Sequence, residues 1–172
     1  EKISTAHEDV KFGFSIASGS AWAAVEAVAT HPELELLGVH CHIGSQIFGS
    51  EAHEIATDRL IGFMAKYRDA YGKELPELDL GGGFGIAYID GDVTVEPSDV
   101  LPQIHAAVKK ACSTYNLSMP LVSLEPGRNI VGPTMFTLYE VGTVKDVVIE
   151  GGTVRKYVSV DGGMSDNART AL

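Results

Sequence analysis

Cysteine is scarce: Cys41 and Cys112 are the two present, with no CxxC and no paired spacing. That excludes a disulfide framework and a zinc knuckle and fits a reducing compartment. Long apolar runs are absent as well. None approaches the roughly 20 residues a membrane-spanning helix needs, and the opening Glu1-Lys2-Ile3-Ser4 lacks the apolar stretch of a signal peptide. The expected location is the cytoplasm, with no membrane partner. Positive charge is also in short supply, 13 Lys and Arg against 23 Asp and Glu, a formal net charge of -10. Such a field repels phosphate backbones and anionic lipid, so nucleic acid is not an expected partner. What is present suffices for a core: 45% of the 172 residues are hydrophobic, and mean hydropathy is +0.09. The chain begins without Met and stops in mid-pattern at Thr170-Ala171-Leu172, which reads as a piece of a longer protein.

Periodicity gives the order of elements. An extended run is expected at 11–15. Ser18-Gly19-Ser20 offers N-caps for a helix with Trp22, Val25, Val28 and Ala29 at helical spacing, ended by His31-Pro32. A strand at 36–41 runs into a polar turn. A second helix over about 51–71 has Ala56, Leu60, Phe63, Met64, Tyr67 and Tyr71 on one stripe, with Gly72 as its stop. A short strand at 78–80 opens into glycines. A third helix at roughly 98–115 carries Leu101, Ile104, Val108 and Cys112 on one face, followed by a strand at 121–124. From 135 to 161, β-branched and aromatic runs separated by Gly142 and Gly151-Gly152 predict a hairpin. Strand, loop and helix thus repeat at a spacing of about 40 residues, the grammar of an α/β protein with a parallel sheet, whose sites lie at the carboxyl ends of strands. Trp22, Tyr67 and Tyr71 are expected to pack helices on the sheet, and His7, His31, His53 and His105 belong to no constellation.

Those strand ends hold the chemistry. Gly81-Gly82-Gly83-Phe84-Gly85 presents side-chain-free backbone that can cradle a phosphate or simply make a tight turn; it lacks GxGxxG and the Walker lysine pattern. His40-Cys41-His42 places two histidines on one face of a strand, where they can ligate a metal, stack on a flat cofactor or be ordinary hydrogen-bonded residues. Ser45 and Gln46 add a hydroxyl and an amide. Glu125-Pro126-Gly127-Arg128 holds a carboxylate and a guanidinium around a turn, the latter suited to a carboxylate or phosphate, or else the two form a surface ion pair. The segment 160–169, ending at Arg169, is a polar loop that could meet an anion.

Taken in this order, GVHCHIGSQI (38–47), ELDLGGGFGI (77–86), SLEPGRNIVGP (123–133), YEVGTVKD (139–146) and YVSVDGGMSDNAR (157–169) resemble the diaminopimelate decarboxylase family. Any one string is ambiguous; together they are specific. The resemblance implies a fold-type III pyridoxal-phosphate enzyme: a (β/α)8 barrel followed by a β-rich C-terminal domain, acting as a homodimer. Residues 1–133 would be the last four βα units of the barrel and bind the cofactor; residues 134–172 would begin the β domain. The implied reaction is decarboxylation of meso-2,6-diaminopimelate to L-lysine, with pyridoxal 5'-phosphate as cofactor. By the same resemblance His42 stacks on the pyridine ring, Glu125 pairs with the pyridine nitrogen, and Ser45, Gly81, Gly82, Gly83, Gly127 and Arg128 hold the phosphate. Arg128 and Arg169 bind the substrate, and Arg169 with Gln46 favours diaminopimelate over amine-ended substrates. Ala168 and Thr170 stand where the family commonly has proline.

The family's Schiff-base lysine would precede this chain and its Cys-Glu segment would follow Leu172, so the isolated chain is expected to be inactive and to associate. Lys11 is not that lysine. Other readings are an ornithine- or arginine-type decarboxylase, a metal-dependent barrel hydrolase using His40 and His42, and a noncatalytic pyridoxal-phosphate-binding module. The hydrolase needs acidic or histidine ligands on other strand ends, where glycines stand out instead.

Overall fold

The computed structural model describes residues 12–163, 165 and 166. Their order is α1 (Ser20–Ala29), β1 (Gly38–His40), α2 (Glu51–Tyr71), β2 (Glu77–Asp79), α3 (Pro97–Tyr115), β3 (Leu121–Ser123), α4 (Gly127–Val131), a 3-10 turn (Gly132–Thr134), β4 (Val141–Val148) and β5 (Val154–Val160). The chain divides into two compact units, with the boundary between Thr134 and Met135.

In the first unit, β1, β2 and β3 form a parallel sheet in that order, with Val39, Leu78 and Val122 level and His40, Asp79 and Ser123 level beside them. Side chains alternate across a strand, so these two rows lie on opposite faces. The Val39–Leu78–Val122 face meets one core with Leu60, Ile61, Met64 and Tyr67 of α2 and Ile104, Val108 and Cys112 of α3. Both crossover helices therefore cover the same face, and the strand order never reverses. The face bearing His40 and Asp79 carries the polar side chains. α2 runs as the sequence predicts and stops at Gly72, whose φ of 70° only glycine adopts freely. Arg68 Nη1 donates to the carbonyls of Tyr115 at 2.9 Å and Asn116 at 2.5 Å, which supplies partners at the C-terminal end of α3.

Several expectations need correction. The predicted strand at 11–15 is not one over its described residues: Gly13 is left-handed at φ 66°, and Phe12 and Phe14 are exposed with no strand alongside. The described parallel sheet therefore has three strands. On α3 the buried stripe is Val100, Ile104, Val108, Ala111 and Cys112, and Leu101 faces out, because the helix's contact with α2 is one position away from the face the sequence suggested. Trp22 packs helix against helix: its ring lies edge-on to Phe63 of α2 with centroids 5.8 Å apart, and Lys66 Nζ sits 3.9 Å from its centre. Neither Ser18 nor Ser20 caps α1; Gly19 occupies the N-cap at φ 83°.

The second unit contains the antiparallel pair β4 and β5. Gly151 and Gly152, both left-handed, make its turn, while Gly142 lies inside β4 at a register shift instead of separating runs. Asp146 and Lys156 face each other and are ion-paired at 2.6 Å. No helix among the described residues is long and apolar enough to cross a membrane.

Candidate functional site

The parallel pairing of β1, β2 and β3 brings three chemically marked loops to one edge of the sheet. Backbone bonds continue past the strands: Cys41 N–H donates to Asp79 at 3.0 Å, Leu80 N–H to Ser123 at 3.1 Å and Glu125 N–H to Gly81 at 2.8 Å. Farther out, Ile47 N–H donates to the Gly83 carbonyl and Gly85 N–H to the Ile47 carbonyl, both at 2.9 Å, so the loop after β1 and the glycine loop are joined as well.

This crowding explains the glycines. A Cβ on Gly81 would run into the Cys41 carbonyl, one on Gly82 into the Glu125 carbonyl and one on Gly83 into the Gly44 carbonyl. Gly81 and Gly83 also need left-handed backbone, at φ 67° and 86°. The tight-turn and phosphate readings of the run are thus compatible: the same close approach that demands glycine leaves N–H groups without side chains over them. The N–H groups of Ser45, Gln46, Gly83 and Phe84 have no partner among the described residues. Unpartnered backbone N–H groups on two adjoining loops suit an anion.

Beside the cradle, Glu125 and His40 meet across the sheet, His40 Nε2 lying 3.3 Å from Glu125 Oε2. Asp79 completes a cluster in which one ligand atom from each residue lies within 4.8 Å of the others. The other strand ends therefore do carry acidic groups near His40, contrary to the sequence expectation; the strand register, invisible in the linear order, brings them level. Histidine, aspartate and glutamate are a donor set that a small divalent cation accepts. Asp79 is already occupied in part, since its Oδ1 accepts the Gly81 N–H at 2.8 Å and so holds the start of the glycine loop.

The remaining predicted residues fall around this edge. Gly127 opens α4 and its N–H donates to the Glu125 carbonyl at 2.8 Å; Arg128, half-buried, follows in that helix, which Asn129 Nδ2 ties to the Val95 carbonyl. Ser45 is half-buried and His42 exposed. His42 does not share a strand face with His40, because the strand ends at His40 and the alternation ends with it. Gln46 is engaged by the protein: its Nε2 donates to the Ile86 carbonyl and its Oε1 accepts the Ile86 N–H, each at 3.1 Å. The role expected for it in substrate choice is not supported by this geometry. Arg169 and Lys11 lie outside the described residues.

Two residues stood outside the sequence argument. His53 is fully buried, stacked on Phe84 of the glycine loop with ring centroids 4.9 Å apart and planes 5° off parallel. Neither its ring nitrogens nor Oγ1 of buried Thr57 finds a hydrogen-bond partner. Burial pushes the His53 pKa below the usual histidine value, with the Gly82 backbone working the other way. Its position three residues before Ala56 on the apolar stripe was the available signal. Burial, with the Asp79 carboxylate adding, pushes the Cys41 thiol up to about 11, which disfavours its thiolate.

A parallel sheet with a glycine cradle, a carboxylate and an arginine at its strand ends defines a class. Residues 1–132 match the family described as "Pyridoxal-dependent decarboxylase, pyridoxal binding domain", and the chain belongs to that family. Within it, the chain is similar to proteins named diaminopimelate decarboxylase: 47% identical to that of Corynebacterium efficiens and 49% to that of Mycobacterium tuberculosis, over the whole of this chain. It spans 38–39% of the length of those relatives. Among solved structures, the diaminopimelate decarboxylase from "m. jannaschii" in co-complex with L-lysine superposes at TM-score 0.78 and 30% identity, covering 95% of this chain and 36% of that one. The Helicobacter pylori enzyme complexed with L-lysine gives 0.77 at 29%, covering 99% of this chain and 39% of that one.

Proposed function

We propose that this chain is part of a carboxy-lyase that converts meso-2,6-diaminopimelate to L-lysine and carbon dioxide. The observation that carries the reading is the juxtaposition of Glu125 with the glycine cradle, where the Glu125 backbone both donates to Gly81 and closes on Gly82. The residues present fit pyridoxal 5'-phosphate: the cradle and its unpartnered N–H groups suit the phosphate, and Ser45, Gly127 and Arg128 would add contacts to it. Glu125 would hold a proton on the pyridine nitrogen, and His42 would cover the ring face. When bound, the cofactor supplies an electron sink for the pair released with carbon dioxide. Arg128 and Arg169 would take the substrate's carboxylates, and the preference for a substrate ending in a carboxylate rests on Arg169. L-lysine in the complexes of the two solved relatives supports this substrate class.

The sequential strand order and the single helix-covered face support residues 1–133 as part of a (β/α)8 barrel wall, with 134–172 entering a β-rich domain. The intact protein is then a cytoplasmic homodimer. Incubating it with pyridoxal phosphate and meso-diaminopimelate, with L-ornithine and L-arginine as controls, is expected to give L-lysine from diaminopimelate alone. Consumption of another amino acid would refute the substrate; failure to bind the cofactor would refute the site. The His40–Asp79–Glu125 cluster motivates a metal-dependent reading, which predicts loss of activity on chelation; the decarboxylase reading predicts none.

A further inference from the structure

Gln46 adopts a backbone conformation, φ 57°, that residues with side chains rarely occupy, yet it is not glycine. Its side chain accounts for this. The amide meets the Ile86 backbone as a second strand would, donating to its carbonyl and accepting its N–H, both at 3.1 Å. One residue on, Ile47 bonds to Gly83 and Gly85 through its own backbone. Ser45 and Gly83, the predicted phosphate contacts on the two loops, are thus each next to a link of this seam. Glycine at position 46 would take the turn but leave Ile86 without its amide partners.

We propose that Gln46 is a positioning residue that locks the loop after β1 to the glycine loop, fixing the two halves of the phosphate cradle at one spacing. This rests on the pyridoxal-phosphate reading of the site and adds that the pre-set spacing serves the phosphate group in particular. Neither amide bond of the clamp involves Glu125 or His42, the residues assigned to the ring.

The test uses the intact protein that carries this chain, freed of cofactor, as wild type, Gln46→Ala and Gln46→Gly. Equilibrium affinities are measured for pyridoxal 5'-phosphate and for pyridoxal, which lacks the phosphate. Removing the two amide bonds is expected to weaken the phosphate ester by about tenfold or more in both variants, while pyridoxal stays within about twofold of wild type. Gln46→Gly relieves the left-handed backbone, so it separates the clamp from strain. An equal loss for both ligands would show a general folding role and overturn the proposal, as would unchanged affinities or a loss in Gln46→Ala that Gln46→Gly does not share. A wild-type protein that binds neither ligand overturns the pyridoxal-phosphate reading itself.

Discussion

Glycine at positions 81, 82 and 83 is required by neighbours more than by flexibility. Gly82 is the clean case, since its Cβ would overlap the Glu125 backbone carbonyl, which has no rotamer to retreat to. Gly82→Ala is expected to destabilise the intact protein by about 1–3 kcal/mol and to weaken cofactor binding. Gly91→Ala, at φ 92° with open space around the Cβ, should cost only the backbone strain of about 1–2 kcal/mol and leave cofactor binding alone. Urea titration and cofactor titration of the two variants check both. His53 gives a second prediction with a definite sign. Its native pKa is lowered, so the unfolded chain takes up the proton more readily, and stability falls as pH drops below the ordinary histidine value of about 6.5 toward the lowered native one. His53→Phe keeps a ring against Phe84 and removes two unpartnered nitrogens. It is expected to raise stability by about 1 kcal/mol or more and to flatten the loss between pH 7.5 and pH 5, read from urea midpoints.

Among the elements, α3 shows how far periodicity reaches. The apolar stripe was legible at Ile104, Val108 and Cys112, but Leu101 and Val100 are both apolar and adjacent, and only the packing against α2 decides which goes inside. Ile104→Ala should therefore cost about 2–5 kcal/mol in denaturant melts of the intact protein, and Leu101→Ala under about 1 kcal/mol. Equal costs would show that the stripe is the one the sequence suggested. The three strands of the parallel sheet were placed within a residue or two, but the strand expected at 11–15 is not one over its described residues, and α4 was not foreseen, because Gly127-Arg128-Asn129-Ile130-Val131 is short and weak in helix formers; it is held by Pro126, whose carbonyl accepts the Ile130 N–H at 3.0 Å, and by the Asn129 bond to Val95.

For the whole molecule, residues 135–140, which open the second unit, have no regular structure, and Met135, Phe136 and Leu138 are each more than four-fifths exposed. Chymotrypsin at low ratio is expected to cut this chain at Phe136 or Leu138 before any site in α2, as followed by mass spectrometry of the first fragments. First cleavage within α2 would contradict the division.

The sequence by itself determined the α/β order, the span of α2, the hairpin and the three loops that carry chemistry, because each rests on local signals: periodicity, stop residues and short motifs. The family was legible for the same reason, through motifs that occur in order along the chain. Tertiary structure alone decided what those residues do to one another. Strand register set Asp79 and Glu125 beside His40, backbone crowding left no room for a Cβ at Gly82, and the meeting of two loops bonded the Gln46 amide to the Ile86 backbone. Contacts across 40 and 85 residues of sequence, as in Gln46 with Ile86 and His40 with Glu125, have no local signature, so no reading of neighbours along the chain contains them.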